Sequence, residues 1–210
     1  MNTLLRKSGY FLLFSAFFVS SVHAANIAQT ELGTQEVEGV KLFKSLTLTL
    51  DGKITPLHPI AAGLRKKKIV LFWAKVYVIQ FFASGENLEG SPVSAISLTL
   101  KRDLTSTQIR EGFGHSLKTN GYDLDSPDFK PIADALRTLG NLKDGSTLWI
   151  GLAKNPDESG TIYLENAKGD LQNIVVKPGV IGQFMSIWWG KPSDSGMEAL
   201  QEELKAKKTP

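Results

Sequence analysis

The chain has 210 residues, 42% of them hydrophobic and 21% charged, and no cysteine. Such a composition describes one globular domain, or two at most, and excludes a multi-span membrane protein, a disulfide scaffold, a thiolate nucleophile and any cysteine-ligated metal. The formal charge of +3 falls to +1 once Arg6 and Lys7 are set aside with the segment that carries them, too little for a nucleic-acid binder that runs on phosphate electrostatics.

That segment comes first. Residues 1–24 place Arg6 and Lys7 before an apolar run over 10–19, and close on Val22-His23-Ala24. A basic start, an apolar middle and small residues before a cut after Ala24 predict a signal peptide. The run is shorter than the roughly 20 apolar residues of a spanning helix, and no later stretch is long enough to span. The expectation is a periplasmic or secreted protein with no stable membrane span after cleavage.

Residues 25–36 are polar and mixed and read as a loose lead-in. Over 42–57, Leu46, Leu48 and Leu50 alternate with Thr47 and Thr49, and Asp51-Gly52 is a turn dipeptide that tolerates positive φ, so a hairpin is predicted. The apolar run over 69–83 has hydrophobic residues on both parities, which predicts a strand covered on both faces at the centre of a sheet. Residues 93–101 alternate again. Leu104-Thr105-x-x-Gln108 is a capping box, and Ile109, Phe113 and Leu117 follow at helical spacing until Gly121. A second helix is predicted from Ser126-Pro127 through Ile132, Leu136 and Leu139 to Gly140. Strands return at 146–153, 161–165 and 171–177. Helical spacing closes the chain at Phe184, Ile187 and Trp188, then at Met197, Leu200 and Leu204.

Strands, two helices, strands and two helices make an α+β order rather than a doubly wound one. One domain over 37–205 with a short tail at 206–210 is expected.

The inventory of chemistry is thin. Outside the signal segment the histidines are His58 and His115, in no metal-ligand spacing, and there is no nucleophile elbow, phosphate loop or dinucleotide fingerprint. No metal or cofactor is expected. His58 reads as a loop residue and His115 as a surface or boundary residue of the first helix. Lys66-Lys67-Lys68 reads as the solvent-facing start of a strand, and recruitment of an anionic surface is the other use such a run has. Trp73, Phe81, Trp188 and Trp189 read as core.

The informative stretch is Ala61-Ala62-Gly63-Leu64-Arg65-Lys66-Lys67-Lys68 followed by Lys75-Val76-Tyr77-Val78. It resembles the bacterial chalcone isomerase-like family of the chalcone isomerase and fatty-acid-binding superfamily, in which a Gly-x-x-x-Arg turn feeds a strand of the form Val-Tyr-x-x-x-x-Tyr. Glu38-Gly39-Val40, Arg102-Asp103-Leu104 and Ser186-Ile187-Trp188-Trp189-Gly190-Lys191-Pro192 are similar, in order, to its opening, its sheet-to-helix junction and its closing helices. The resemblance implies an open-faced β-sandwich: a large antiparallel sheet covered by helices, with a ligand cleft between them.

What the resemblance implies about function depends on single residues. Of the five isomerase site positions, Arg65 matches the arginine. Tyr77 stands for a threonine, Ile109 for a tyrosine, Ser116 for an asparagine and Ile187 for a hydroxyl. An isoleucine offers no phenol to order water or stabilise charge, so chalcone cyclisation is not expected. The fatty-acid-binding branch pairs the arginine with a tyrosine around a carboxylate, and Arg65 with Tyr77 is similar. The implied ligand set is Arg65, Tyr77, Ile109, Phe113, Ser116 and Ile187 around a fatty acid or similar amphipathic carboxylate, with Lys75 as a second anion contact or a lysine reaching solvent. Three alternatives stay open: an intramolecular lyase or isomerase on a non-flavonoid substrate, an interaction module with a vestigial cleft and a partner of unknown identity, and an Arg65 that merely pairs with an internal carboxylate such as Asp103 or Glu111.

Overall fold

The computed structural model describes residues 27–206, so the expected signal peptide and its cut lie outside the described residues. The elements run β1 (Ala28–Val37), β2 (Val40–Leu50), β3 (Lys53–Ile69), β4 (Phe72–Ala83), β5 (Val93–Leu100), α1 (Ser106–Thr119), α2 (Lys130–Thr138), β6 (Thr147–Lys154), β7 (Gly160–Glu165), β8 (Leu171–Val176), α3 (Val180–Trp189) and α4 (Ser195–Ala206). The strands form one antiparallel meander in the order β1 to β8. With the helices over it, this is the α+β architecture expected from the order of elements.

The two faces of the sheet are covered differently. On one, Ile79, Phe81, Ile96, Leu98, Ile150 and Ile162 are buried against Phe113, Ile132, Leu136, Phe184 and Trp188 of the helices. Each such side chain contributes roughly 1.5–3 kcal/mol through burial. On the other face, Leu46, Leu48, Leu50 and Leu57 pack on Phe82, Ala95, Trp149 and Tyr163. The β1–β2 arm therefore lies back over the sheet. Polar contacts pin it there: the Gln80 side chain bonds both the N–H (3.0 Å) and the carbonyl (2.6 Å) of Phe43, Ile27 N–H donates to Glu165 Oε2 (2.9 Å), and Tyr163 Oη donates to Asp51 Oδ2 (2.5 Å).

β3 is long because it serves both layers. Its first residues, 53–57, pair with β2, and 58–69 pair with β4. Beyond Leu57 its β2 side has no strand partner, and α4 occupies that edge, where Glu203 Oε2 accepts the Leu64 N–H (3.0 Å). An open strand edge covered in this way cannot template pairing with another chain.

The hairpin at Asp51-Gly52 is present, with φ of 49° and 78°. The capping box is present too. Thr105 Oγ1 accepts the Gln108 N–H (3.1 Å), and Gln108 Oε1 accepts the Thr105 N–H (3.0 Å).

Six expectations need correction. Of residues 25–36, read as a loose lead-in, positions 28–36 belong to β1, an edge strand whose polar residues are exposed on both faces and so show no alternation. The apolar run over 69–83 is not one buried strand. Its first residues turn, with Ile69 opposite Phe72 and Val70 in the left-handed region at φ 50°, and only the later part of β4 is buried on both faces. Trp73 is consequently exposed rather than core. Gly63 and His58 lie within β3 rather than in a turn or loop. α2 begins at Lys130, after hydrogen-bonded turns in which Ser126 O accepts the N–H groups of Phe129 and Lys130.

Candidate functional site

Arg65 and Tyr77 are direct cross-strand partners of β3 and β4, so their side chains share a face. A bulge follows at once. Lys66 pairs with Lys75, leaving Val76 as the extra residue and turning Val76 and Tyr77 toward the same space. That space is a cavity of about 610 Å³ between the sheet and α1. Its floor includes Leu98 and Leu100 of β5 and Leu148 of β6, and its roof includes Ile109, Gly112 and Phe113. Ile187 of α3 and Met197 of α4 close one side. All six residues singled out in the sequence, namely Arg65, Tyr77, Ile109, Phe113, Ser116 and Ile187, line this one cavity. The cleft is open space, not a packed core. Lys75 does not line it and pairs with Glu38 instead (2.7 Å).

Arg65 is 7% exposed and already held from within the chain. Its Nη2 pairs with Asp194 Oδ2 (2.6 Å) and its Nη1 donates to the carbonyl of Lys66. The carboxylate partner is neither Asp103, which pairs with Lys143 (2.7 Å), nor Glu111. Asp194 has a second task. Its Oδ1 accepts the N–H groups of Gly196 and Met197, both at 2.9 Å, and so caps α4. Burial is the largest influence on the Asp194 carboxyl and raises its pKa. The hydrogen bond from Arg65 and the two backbone donors together outweigh it and hold the carboxyl below its ordinary value.

The contact needs two glycines. A Cβ on Gly196 would collide with the Lys66 carbonyl and the Arg65 guanidinium, and one on Gly63 would come 2.7 Å from Leu200 Cδ1. Their bareness lets α4 lie against β3 closely enough for Asp194 to reach Arg65. The linker before α4 is held as well: Asn120 Oδ1 accepts the Lys191 N–H (2.6 Å) and Gln201 Nε2 donates to the Gly190 carbonyl (2.8 Å).

Tyr77 is buried, and its oxygen accepts the Trp188 Nε1–H (3.1 Å). Burial pushes the phenol pKa up, against the field of Arg65, so the group stays protonated and keeps its O–H to donate. Ser116 Oγ lies 3.0 Å from Ser193 Oγ, and His115 Nε2 lies 3.3 Å from Ser193 O. Around the rim are Lys67, Lys68 and Arg102, so the lining carries four basic residues, with Arg65, against the two acidic residues Glu111 and Asp194.

Sequence reasoning missed Asp194, Met197, the Trp188–Tyr77 bond and the basic rim. Asp194 had a signal: an aspartate directly before a helical run reads as an N-cap. Among the described residues, no group of three or more His, Cys, Asp or Glu side chains could hold a metal ion.

No family model matches the chain, and no curated protein matches it. Among solved structures, the chain is similar to the crystal structure of a fatty-acid-binding protein from Arabidopsis thaliana. The identity is 16% and the TM-score 0.44, over 75% of this chain and 95% of that one.

Proposed function

We propose that this chain binds a fatty acid or a similar amphipathic carboxylate in the cavity between sheet and α1, without catalysing a reaction on it. The observation that carries the reading is the cavity itself: apolar on floor and roof, with a guanidinium and a protonated phenol on one wall and a basic rim. Its volume lies within the usual range for small-molecule sites. Ten buried methylenes would contribute on the order of 8 kcal/mol, before the loss of translational and rotational freedom on binding. The hydrocarbon therefore supplies most of the affinity. The headgroup meets Arg65, whose fork has five donors, together with the Tyr77 O–H.

The test is saturable binding of laurate and palmitate by titration calorimetry, repeated on Arg65→Ala with its fold checked by circular dichroism. Binding that weakens in a folded variant supports the reading. Absence of saturable binding in the unaltered protein ends it, and equal affinity in both proteins removes Arg65 from the site.

The same reading places the protein outside the cytoplasm, on the strength of the basic, apolar and small-residue blocks of residues 1–24. Mass spectrometry of the protein from the exported fraction should find Ala25 as its first residue, and a chain that retains Met1 or Asn2 would refute export with cleavage.

A further inference from the structure

The tip of the β3–β4 hairpin is built unlike the other hairpin turns of the sheet. Those at Glu38-Gly39, Asp51-Gly52 and Lys168-Gly169 are polar and carry glycine at positive φ, and the β6–β7 turn, also polar, places Glu158 there. Here the two turn residues are Val70 and Leu71, and a β-branched residue occupies the left-handed region that glycine, asparagine or aspartate would adopt with less strain. The tip is also bare: Val70 is 84% exposed, Leu71 93%, Phe72 61% and Trp73 48%. The other exposed large hydrophobics, Leu32, Ile54, Leu171 and Val175, are scattered singly. Four consecutive ones at a protruding turn form a surface that water disfavours.

Charge completes the pattern. Lys67 and Lys68 flank the tip on β3 and are exposed, with Lys66 before them, while Lys75 on the opposite strand is paired with Glu38 and β3 and β4 place no acidic residue between positions 64 and 78. An apolar point ringed by lysines is complementary to a bilayer with anionic headgroups, the apolar side chains entering the acyl boundary and the ammonium groups remaining among the phosphates.

We propose that this hairpin tip docks the protein on an anionic lipid bilayer. Docking brings Lys67, Lys68 and Ile69, which also line the cavity, to the membrane surface. An amphipathic ligand can then pass between bilayer and cavity without crossing bulk water. The docking surface stands on its own observations, and only this last consequence rests on the ligand proposed above.

The experiment is co-sedimentation of the full chain with vesicles of phosphatidylcholine, with and without phosphatidylglycerol, compared with Leu71→Asp/Phe72→Asp. Both proteins carry the same N terminus, so any lipid affinity of residues 1–26 is common to them. The altered side chains are exposed, and unchanged circular dichroism and laurate binding in the variant separate loss of docking from loss of fold or of the cavity site. Partition onto anionic vesicles should fall at least about tenfold in the variant. It should also weaken about fivefold for each lysine that no longer feels the surface when phosphatidylglycerol is omitted or salt is raised. Brominated lipid should quench Trp73, a signal that Trp73→Phe removes. Equal partition of the two proteins, or an unquenched Trp73, overturns the proposal. So does a dimer in solution that the double variant abolishes while neither protein binds vesicles, because the tip would then be a contact between copies of the chain.

Discussion

Replacing Asp194 with asparagine separates the two tasks of that side chain. Asparagine caps a helix as well as aspartate does, so its Oδ1 can keep the N–H groups of Gly196 and Met197. The amide nitrogen would then face Arg65 Nη2, and the pair that now closes at 2.6 Å is lost. A hydrogen bond to a charged group contributes about 1.5–3 kcal/mol. The Asp194 side chain is 31% exposed, and screening brings the expected loss to roughly 1–2 kcal/mol. For a chain of this size that is a fall of about 3–6 °C in the melting temperature without ligand. Arg65 would be left buried without an anion, a deficit that a ligand carboxylate can repair. Recovery of about 1.4 kcal/mol on binding tightens laurate about tenfold, while methyl laurate, which lacks the charge, should bind both proteins alike. Calorimetric titration with both ligands and thermal melts without ligand, on both proteins, measure these changes. Laurate affinity that stays level or falls in a protein destabilised as expected would refute the competition between Asp194 and a ligand headgroup for Arg65. The pH dependence has a definite sign. The Asp194 carboxyl is held below its ordinary 3.8, so its contribution is complete above that value and disappears as pH falls through the lower folded one. The two melting temperatures should converge in acid.

Tyr77→Phe strands the buried Trp188 Nε1–H and should cost about 1–3 kcal/mol in thermal melts, and the proposed role of the phenol as headgroup donor predicts weaker laurate binding as well. Gly196→Ala forces α4 away from the Lys66 carbonyl and should cost about 1–3 kcal/mol while weakening laurate, whereas the same change at Gly112, inside α1 with no atom from beyond its own helix within 4 Å of the added carbon, should raise stability by about 0.5–1 kcal/mol. Burial, followed by the Asp51 carboxylate, pushes the Tyr163 phenol up to about 12. Its contribution is therefore full below the ordinary 10.0 and lost as pH rises toward about 12. Tyr163→Phe should lower stability by about 1 kcal/mol at neutral pH and remove that alkaline decline, read by melts across the range.

Elements whose local chemistry agrees with their environment were legible in the sequence. Leu46, Leu48 and Leu50 alternate because one face of β2 is buried, and Thr105 with Gln108 announced α1 because a cap is a contact within one turn. β1 was not legible, since a strand with both faces in water has no apolar period. The turn at Val70-Leu71 was hidden by side chains that belong to strands, and a strand reading therefore ran through it. Arg65 and Tyr77 were named together on the family resemblance alone, and the structure makes them register partners across one hairpin. Asp194 lies 129 positions from Arg65, and no local pattern states which distant cation an N-cap will meet.

In a meander every strand pairs with its chain neighbour, so the sheet can zip in the order of synthesis, with one long closure, between β5 and β6, that spans α1 and α2. Residues 195–206 break that locality by returning to β3, and with them come Asp194 and Met197, which wall the cavity. A nascent chain can thus hold a nearly finished sheet while the chamber beneath its helices still lacks a side. A stop codon ahead of Asp194 would leave the sheet its strands and the chamber a missing wall.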